Sequence, residues 1–399
     1  MKLSQRASNS KPSMTMALIA LANERKAQGQ AVISMVAGEP DFPTPDNIRV
    51  AGIRAIATGD TRYGAATGSP ALRRAIAKKF AEDNQATFTP DQIVVATGTK
   101  PLLYTAFMAL CDAGDEIIVP APYWVSYPSL VELAGASTVI LSCGEEAGFK
   151  VTATALRAAV TPHTRVLLLN SPGNPTGAVY SKQELEEILA VLRDHPRIFL
   201  VTDEIYEHLV YDGQQHYSPS ALAPDLAGRI IVINGFSKGY GMIGWRLGFA
   251  AGPKEVMTAM GSFLSHILGA PSTITEAAGL AALEEPKPYL RVYREDYEAR
   301  RDLALALIRE IPGVHCATPG GAFFLFVNCT GLFGKTSQAG SAITDDAAFA
   351  RAAIEEAGVA IVPGASFGMP GYFRLSYSMS TQDIRTGLQS LIRFCAALV

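Results

Sequence analysis

The chain has 399 residues, of which 48% are hydrophobic and 18% charged, which is the composition of a globular protein with two or three domains. Its formal charge of -3 comes from 34 basic and 37 acidic residues mixed along the chain, so nucleic acid is not an expected partner. The five cysteines are scattered and lack metal-ligand spacing. We therefore expect a cytoplasmic protein without disulfides and without a metal.

The first apolar segment, MTMALIALA from Met14 to Ala22, has two interpretations. It follows three basic residues, as a secretory signal would, but the polar segment NERKAQGQ continues directly from it. This continuation favours the buried face of a helix that ends near Gly29. No apolar segment reaches the roughly 18 to 20 residues of a membrane span, so no membrane association is expected.

Between about residues 90 and 250, short apolar segments alternate with longer segments of helical character. This alternation predicts an α/β fold with a mostly parallel sheet that is covered by helices on both faces. The predicted strands lie in DQIVVATG, DEIIVPAPYW, STVILSC, TRVLLLNSPGNPTG, IFLVTDEIYEH, RIIVINGFSK and LGFAAGP. Ligands of such sheets bind beyond the carboxyl ends of the strands, so we expect the functional residues there.

The pattern changes after Pro286 to a long charged helix followed by shorter strand-like segments such as AFFLFVN and FRLSYSMS. This predicts a second, smaller domain of α+β type, built from the two ends of the chain. We predict an N-terminal arm and part of the small domain in residues 1–44, a large domain in 45–285, and the rest of the small domain in 286–399.

The segment GFSKGYGMIGWR contains Gly239, Gly241 and Gly244 in the spacing G-x-G-x-x-G, which is typical of dinucleotide sites. That motif must open a helix, but the apolar strand-like segment WRLGFAAGP begins at once and leaves no room for one. The dinucleotide interpretation is therefore disfavoured. Lys238, at the end of the predicted strand IIVIN, is instead a candidate Schiff-base lysine, because desolvation would lower its pKa.

Other candidate residues follow the ends of neighbouring predicted strands. In TDEIYEH, Asp203 and Tyr206 are three residues apart and would face one side of a helical turn. Asn174 lies in the turn NSPGNPTG, where its amide can point into a cleft, and Trp124 in APYW offers a flat apolar face. Each residue alone could be an ordinary turn residue or a core aromatic.

The tripeptide Gly98-Thr99-Lys100 closes the predicted strand IVVATG and precedes the helical segment PLLYTAFMAL. Backbone N–H groups at a helix N-terminus bind anions, so this position predicts an anion site. Alone, the tripeptide could equally be a simple helix cap.

Taken together, these segments resemble the pyridoxal-phosphate (PLP)-dependent aminotransferases of fold type I, class I, in the aspartate aminotransferase group and its aspartate/prephenate branch. The resemblance runs from about Lys11 to about Ser380 through AGEPDF, YGAATG, APYW, NSPGNPTG, TDEIYEH, GFSKGYGMIGWRLGF and FRLSYS. It implies a PLP-binding large domain and ping-pong transamination between an L-amino acid, aspartate or glutamate first, and a 2-oxo acid such as 2-oxoglutarate or oxaloacetate. It also implies a homodimer with the active site at the interface.

The resemblance implies a set of site residues. It implies cofactor contacts from Tyr63, Gly98, Thr99, Lys100, Trp124, Asn174, Asp203, Tyr206, Ser237, Lys238 and Arg246, and substrate contacts from Gly38, Lys100, Trp124, Asn174 and Arg374. Lys238, Asp203 and Tyr206 are implied to be catalytic.

Individual roles follow from the same resemblance. Lys238 carries the cofactor, Asp203 pairs with its ring nitrogen, and Arg246 binds its phosphate. Arg374 clamps the substrate α-carboxylate in bidentate fashion. Tyr63 reaches the phosphate of the neighbouring subunit. Tyr206 and Asn174 hydrogen-bond the ring 3-oxygen, Trp124 stacks on the ring, and Gly98 and Thr99 donate to the phosphate.

One position departs from the family pattern. Many relatives have a phosphate-binding serine three residues before the lysine, but this chain has Gly235. That departure puts one phosphate contact in doubt.

The side-chain specificity has contrary signals. Lys100 matches a residue that receives a distal carboxylate, and Lys11 lies in a segment, KPSMT, that closes over the site. In contrast, SHILGAP puts apolar Ile267 and Leu268 at the predicted side-chain pocket, with Ser265 where another branch has arginine. An aromatic or other bulky amino acid as substrate therefore stays an alternative, as does a PLP-dependent lyase.

Overall fold

The computed structural model describes Ser4 and residues 14–399, with only the backbone of Met14 and Thr15. The prediction for Lys11 lies outside these residues. The described strands are β1 (Ile33–Ser34), β2 (Ile93–Ala96), β3 (Glu116–Ala121), β4 (Ser137–Ser142), β5 (Thr164–Asn170), β6 (Phe199–Asp203), β7 (Ile230–Gly235), β8 (Gly248–Ala251), β9 (His315–Cys316), β10 (Phe324–Asn328), β11 (Val359–Ala360), β12 (Val362–Pro363) and β13 (Tyr372–Ser376).

The helices lie mainly between these strands. They are α1 (Met14–Ala27), α2 (Asp46–Ala57), α3 (Pro70–Asp83), α4 (Thr99–Leu110), α5 (Tyr127–Leu133), α6 (Ala153–Ala159), α7 (Lys182–Asp194), α8 (Pro219–Leu222), α9 (Lys254–Ile267), α10 (Thr273–Glu284), α11 (Pro288–Ile308), α12 (Asp346–Glu356) and α13 (Thr381–Ala396). Within the described residues, no helix combines the length and apolar character that a bilayer-spanning segment needs.

The largest sheet has seven strands in the order β2-β8-β7-β6-β5-β3-β4. Only β8 runs antiparallel to its neighbours, so the sheet is mostly parallel. Alternate strand residues belong to two separate apolar cores, one with α3, α7 and α10 and the other with α4, α5 and α9. Helices therefore cover both faces, and the predicted α/β fold is confirmed, including each of its predicted strands.

Two smaller sheets complete the structure. One is antiparallel with the order β12-β13-β10-β9, and the other pairs β1 with β11 in parallel. The second pairing joins Ile33 to Val359, so the beginning and end of the chain pack together. The domain boundaries at residues 44/45 and 285/286 stay predictions.

The N-terminal helix is confirmed, but the expectation that its apolar run forms a buried face holds only in part, since Leu18, Ile19 and Ala22 pack against an apolar core while other residues of the run are exposed. Met16 is 63% exposed and Leu21 is 37% exposed, whereas Ala22 is fully buried. The apolar residues are consecutive in sequence and therefore surround the helix, so no single face can bury them all.

The loop that contains Gly239, Gly241 and Gly244 runs directly from β7 to β8 and contains no helix. A dinucleotide fingerprint requires such a helix to hold the pyrophosphate. The structure therefore agrees with the sequence argument against that interpretation.

Candidate active site

A cavity of about 720 Å³ opens at the carboxyl ends of β2, β5, β6 and β7 and extends to β13. The predicted site residues that line it are Gly38, Thr99, Lys100, Trp124, Asn174, Asp203, Tyr206, Ser237, Lys238, Arg246 and Arg374. The edge of a parallel sheet thus brings together side chains that are far apart in sequence, as expected for this architecture.

Two predicted residues do not line the cavity. Gly98 lies directly behind it, and a Cβ atom at this position would be 2.7 Å from Nη2 of Arg246. Its φ of +100° also favours glycine, so the backbone here allows the guanidinium to approach closely. Tyr63 is fully exposed and lies outside the cavity of its own chain.

Lys238 follows the end of β7, and its ammonium nitrogen donates a hydrogen bond to the carbonyl of Gly38. Burial lowers the pKa of Lys238 to about 8, although the nearby charge of Glu39 acts in the opposite direction. A substantial fraction of this amine is therefore neutral, and thus nucleophilic, near physiological pH.

Asp203 is the last residue of β6 and is 3% exposed. The hydroxyl of Tyr127 donates to its Oδ2 at 2.8 Å, and the N–H of Ile205 donates to its Oδ1 at 3.3 Å. Burial raises the pKa of Asp203 to about 6, and the Tyr127 hydrogen bond opposes that rise. The sequence argument missed Tyr127, although it lies three residues after Trp124 at the start of α5.

The turn after β6 directs its charged side chains to two sides. Asp203 and Tyr206 both line the cavity, as their spacing predicted. Glu204 and Glu207 are also buried but do not line it, and Glu207 instead contacts Lys79 at 2.5 Å. Residues three apart lie on the same side of this turn. The pair Asp203 and Tyr206 therefore lies on the cavity side, and the pair Glu204 and Glu207 lies on another side.

Among the described residues, one group of carboxylates and imidazoles is close enough to hold a metal ion: Glu204, Glu207 and His216, with ligand atoms within 4.8 Å of one another. The ammonium of Lys79 already lies against Glu207 in this group. The group therefore contains its own cation and carries no metal assignment.

Asn170, which the sequence argument also missed, connects two strand ends. Its side-chain amide donates to the carbonyl of Asp203 at 2.9 Å, and its Oδ1 accepts from the N–H of Asn174 at 2.9 Å. Asn170 thereby fixes the turn that presents Asn174 to the cavity. Its position as the last residue of a predicted strand was the available signal.

Arg374 lies on β13 and is 3% exposed. Its Nη1 donates to Oδ1 of Asn174 at 2.9 Å, and its Nη2 donates to the carbonyl of Val36 at 2.7 Å. Among the described residues, its Nε has no hydrogen-bond partner and no carboxylate lies within 4 Å of the guanidinium. Burial lowers the pKa of Arg374 to about 10. A buried cation without an acidic partner is costly, which suits a site for an anionic ligand.

A second positive region lies at the N-terminus of α4. Burial and the nearby charge of Arg246 lower the pKa of Lys100, and its ammonium lies 4.9 Å from the centre of the Trp124 ring. Arg246 approaches Gly98 just before the helix begins. Two cations and free helical N–H groups together form a site for a doubly charged anion.

The structure explains the small residue at Gly235, the last residue of β7. A Cβ atom here would lie 3.0 Å from both Cα of Gly248 and the carbonyl oxygen of Leu247. A serine would therefore crowd the backbone of β8. Nearby Ser237 lines the cavity and offers a hydroxyl instead.

The expectation that Ile267 and Leu268 line the side-chain pocket is not met within this chain. They lie at the end of α9, are 49% and 39% exposed, and do not line the cavity. The apolar lining of the cavity includes Met16 and Ile19 of α1, which sequence analysis did not assign to the site, and also Val125, Ile205 and Ile243.

Comparisons with known proteins agree with this geometry. A sequence model of the family described as aminotransferase class I and II matches residues 30–391. The aspartate/prephenate aminotransferase of Cereibacter sphaeroides is 46% identical over 388 residues, which is 97% of each chain. The crystal structure of the aspartate aminotransferase from Rhizobium meliloti has a TM-score of 0.97 at 41% identity and covers 100% of both chains. The Thermus thermophilus aspartate aminotransferase with maleate has a TM-score of 0.92 at 40% identity, covering 99% of this chain and 100% of that one.

Proposed function

The chain belongs to the class I and II aminotransferases, and from that premise we propose that it transfers the amino group of aspartate or glutamate to a 2-oxo acid with PLP as its cofactor. The observation that carries this proposal is the cavity itself. It combines a lysine whose pKa is lowered to about 8, a buried carboxylate at Asp203 and a buried guanidinium at Arg374 that no described carboxylate contacts. Those three groups fit an aldehyde, a pyridine nitrogen and a substrate carboxylate.

The residues of the cavity match the parts of PLP. Lys238 is the amine for its aldehyde, and Asp203 is the acceptor for its ring nitrogen. The α4 N-terminus with Arg246 and Ser237 suits its phosphate, and Gly98 leaves space for the Arg246 guanidinium. Asn174 and Tyr206 offer hydrogen bonds to the ring 3-oxygen, and Trp124 offers a face for stacking.

PLP, when bound, supplies an electron sink for the electrons of the substrate Cα–H bond. Lys238 moves the proton: its freed Nζ removes it from Cα and later delivers it within the same cavity, which its lowered pKa suits. Asp203 stabilises positive charge at the ring nitrogen, because the carboxylate is held in a nearly dry environment.

Arg374 orients the amino acid. Its guanidinium is already aimed by Asn174 and by the Val36 carbonyl, so little rotational freedom is lost when a carboxylate binds. A guanidinium can hold a carboxylate through two parallel hydrogen bonds, which fixes the position of Cα near Lys238. Gly38 completes this side of the cavity.

Lys100 is the proposed contact for the distal carboxylate of aspartate or glutamate. It lines the cavity, and no described carboxylate lies within ion-pair distance of it. The Thermus thermophilus relative is described with maleate, a dicarboxylate. We expect Lys100→Ser to lose roughly 2 to 4 kcal/mol of transition-state stabilisation, measured by kcat/KM, with aspartate as donor and little with phenylalanine. Equal losses on both donors would show that Lys100 serves the cofactor phosphate instead.

The active unit is proposed to be a cytoplasmic homodimer. Tyr63 is fully exposed, and the apolar Val50, Ile53 and Ile56 of α2 are each at least half exposed. Such a group of exposed apolar side chains is typical of an interface. In the dimer, Tyr63 would reach the phosphate site of the neighbouring subunit.

The test is a panel of amino donors incubated with and without 2-oxoglutarate. We expect aspartate to give more than one equivalent of oxo acid per subunit only when the acceptor is present. Continued product formation without an acceptor would indicate a lyase, and a preference for phenylalanine over aspartate would indicate an aromatic aminotransferase.

A further inference from the structure

The carboxylate of Asp203 depends on one side chain for its hydrogen bonding. Oδ2 accepts from the Tyr127 hydroxyl at 2.8 Å, and within the described part of the chain Oδ1 has only the long backbone contact from Ile205 at 3.3 Å. Among the described residues, no lysine, arginine or histidine forms an ion pair with Asp203. The neighbouring charges of Lys238 and Glu204 act on it in opposite directions.

Tyr127 is constrained to act as a donor. Its side chain is 3% exposed, and burial together with the charge of Asp203 holds the pKa of its hydroxyl well above the ordinary value. The hydroxyl therefore stays protonated over the working range of the protein. A carboxylate that accepts such a bond is stabilised in its ionised form and is a weaker base.

The same turn presents Tyr127 and Trp124. The N–H of Tyr127 donates to the carbonyl of Trp124 at 2.9 Å, and the two rings meet edge to face with centres 5.3 Å apart. Both side chains line the cavity. The start of α5 therefore presents both the aromatic face of the site and the hydroxyl that bonds to Asp203.

We propose that Tyr127 is a positioning residue, whose hydroxyl fixes the Asp203 carboxylate and lowers its basicity so that a shared proton stays on the pyridine nitrogen of PLP. This inference rests on the proposed function. Tyr127 acts through Asp203, so its effect should require the ring nitrogen and disappear when the nitrogen is absent.

The experiment compares two ligands on the cofactor-free protein: PLP and an analogue in which C–H replaces the ring nitrogen. Both carry the aldehyde and the phosphate, so packing and phosphate contacts are the same. We expect Tyr127→Phe to weaken PLP binding about tenfold and to change binding of the analogue less than threefold. Affinity is measured by the absorbance change as Lys238 takes up each ligand.

The matched control is Tyr180→Phe. Tyr180 is equally buried, and its hydroxyl accepts one backbone hydrogen bond, from Val151 at 2.8 Å, outside the main cavity. We expect this variant to bind both ligands as the wild type does. A second readout is the titration of the Asp203 carboxyl in cofactor-free protein by ¹³C NMR, assigned with Asp203→Asn. Its midpoint should move to higher pH in Tyr127→Phe.

The outcomes separate the two proposals. Equal weakening of PLP and analogue by Tyr127→Phe, or no weakening of either, would overturn the role of Tyr127. If the wild-type protein takes up neither compound at Lys238, the proposed cofactor is wrong, and the inference falls with it.

Discussion

Two groups of buried charge flank the turn after β6, and they differ in how their charges are satisfied. The cavity group consists of Asp203, Lys238 and Arg374. The second group, which we call the Glu207 group, consists of Lys79, Asn84, Glu204, Glu207, His216 and Ser218. The consecutive residues Asp203 and Glu204, at the end of β6, contribute one to each group, so burial alone does not distinguish the groups.

The Glu207 group is closed, by which we mean that its charged side chains contact one another or hydrogen-bond within the group. Lys79 contacts Glu207 at 2.5 Å and donates to Asn84 at 2.6 Å, and Asn84 donates to Glu207 at 2.7 Å. Glu204 accepts from the Ser218 hydroxyl at 2.9 Å and lies 3.1 Å from the His216 ring. Burial alone would raise the pKa of Glu207, but the charges of Lys79, His208 and His216 and the hydrogen bond from Asn84 together lower it.

The cavity group is open, because burial shifts its pKa values while none of the described residues brings an opposite charge into contact with it. The pKa of Asp203 rises to about 6, that of Lys238 falls to about 8, and that of Arg374 falls to about 10. The difference separates two uses of buried charge. Charges paired within the chain belong to the folded structure, whereas charges that lack an opposite charge in contact are available to a ligand.

The largest effect we predict is for Lys238→Ala. Loss of the amine removes both the cofactor attachment and the proton carrier, so kcat should fall at least about 10⁴-fold. The melting temperature of the cofactor-free protein should not fall at neutral pH, because Lys238 forms no ion pair with any described residue and burial of its charge is unfavourable. Lys254→Ala, which removes an exposed lysine, is the control. Near wild-type turnover by Lys238→Ala would show that the open group is not the catalytic one.

For the closed group we predict the reverse pattern. Lys79→Met leaves the Glu207 carboxylate buried without its cation, and the free energy of unfolding in urea should fall by about 3 to 5 kcal/mol. The folded fraction should keep its kcat/KM within about threefold of wild type. The double variant Lys79→Met/Glu207→Gln should recover most of the stability. Lost activity at unchanged stability would contradict the distinction between the groups.

Arg374→Lys tests the open group again with a smaller change. Lysine keeps the positive charge but cannot make two parallel hydrogen bonds to a carboxylate. The transition-state stabilisation measured by kcat/KM should therefore fall by about 2 to 3 kcal/mol for every amino donor. Arg301→Lys is the matched control, because Arg301 is buried but already bonded through two nitrogens to Asp212. That variant should lose stability and keep kcat/KM. The same kinetic loss in both variants would argue against Arg374 as the carboxylate clamp.

The sequence predicted most of the sheet and most of the cavity for one physical reason. Parallel strands place their carboxyl ends at one edge, so residues that follow apolar segments, such as Asp203, Asn174 and Lys238, meet there. That rule needs only the order of the strands. The loop from Gly235 to Gly248 contains no helix, which agrees with the sequence argument against a dinucleotide fingerprint there.

What the sequence could not predict depends on contacts between distant segments or between chains. Tyr127 and Asp203 are 76 residues apart in sequence, and no local pattern in either segment predicts their hydrogen bond. The role proposed for the exposed Tyr63 would require a second chain, and the outward position of Ile267 depends on how α9 packs. The apolar start of the chain predicted a helix correctly, but its burial depends on tertiary packing that local pattern does not fix.

The smallest effect we predict is the pH dependence of PLP uptake by the cofactor-free protein. The neutral amine of Lys238 is the nucleophile, and burial lowers its pKa to about 8. About one tenth of the amine is neutral at pH 7 and about nine tenths at pH 9, so the second-order rate constant should rise about tenfold over this interval and then level off. Stopped-flow absorbance follows the reaction.

The effect of Glu39 on the pKa of Lys238 gives a second test of this pH dependence. The negative charge of Glu39 raises the pKa of Lys238, against the larger effect of burial, so Glu39→Gln should move the midpoint of the rate profile to lower pH. The linked stability has the corresponding sign. Since the folded-state pKa lies below the ordinary value, Lys238 makes the cofactor-free protein more stable as pH rises from about 8 to about 10.5. A rate that instead keeps rising tenfold per unit through pH 10 would mean that solvent reaches the amine, and Lys238 would then belong with ordinary surface lysines rather than with the open group.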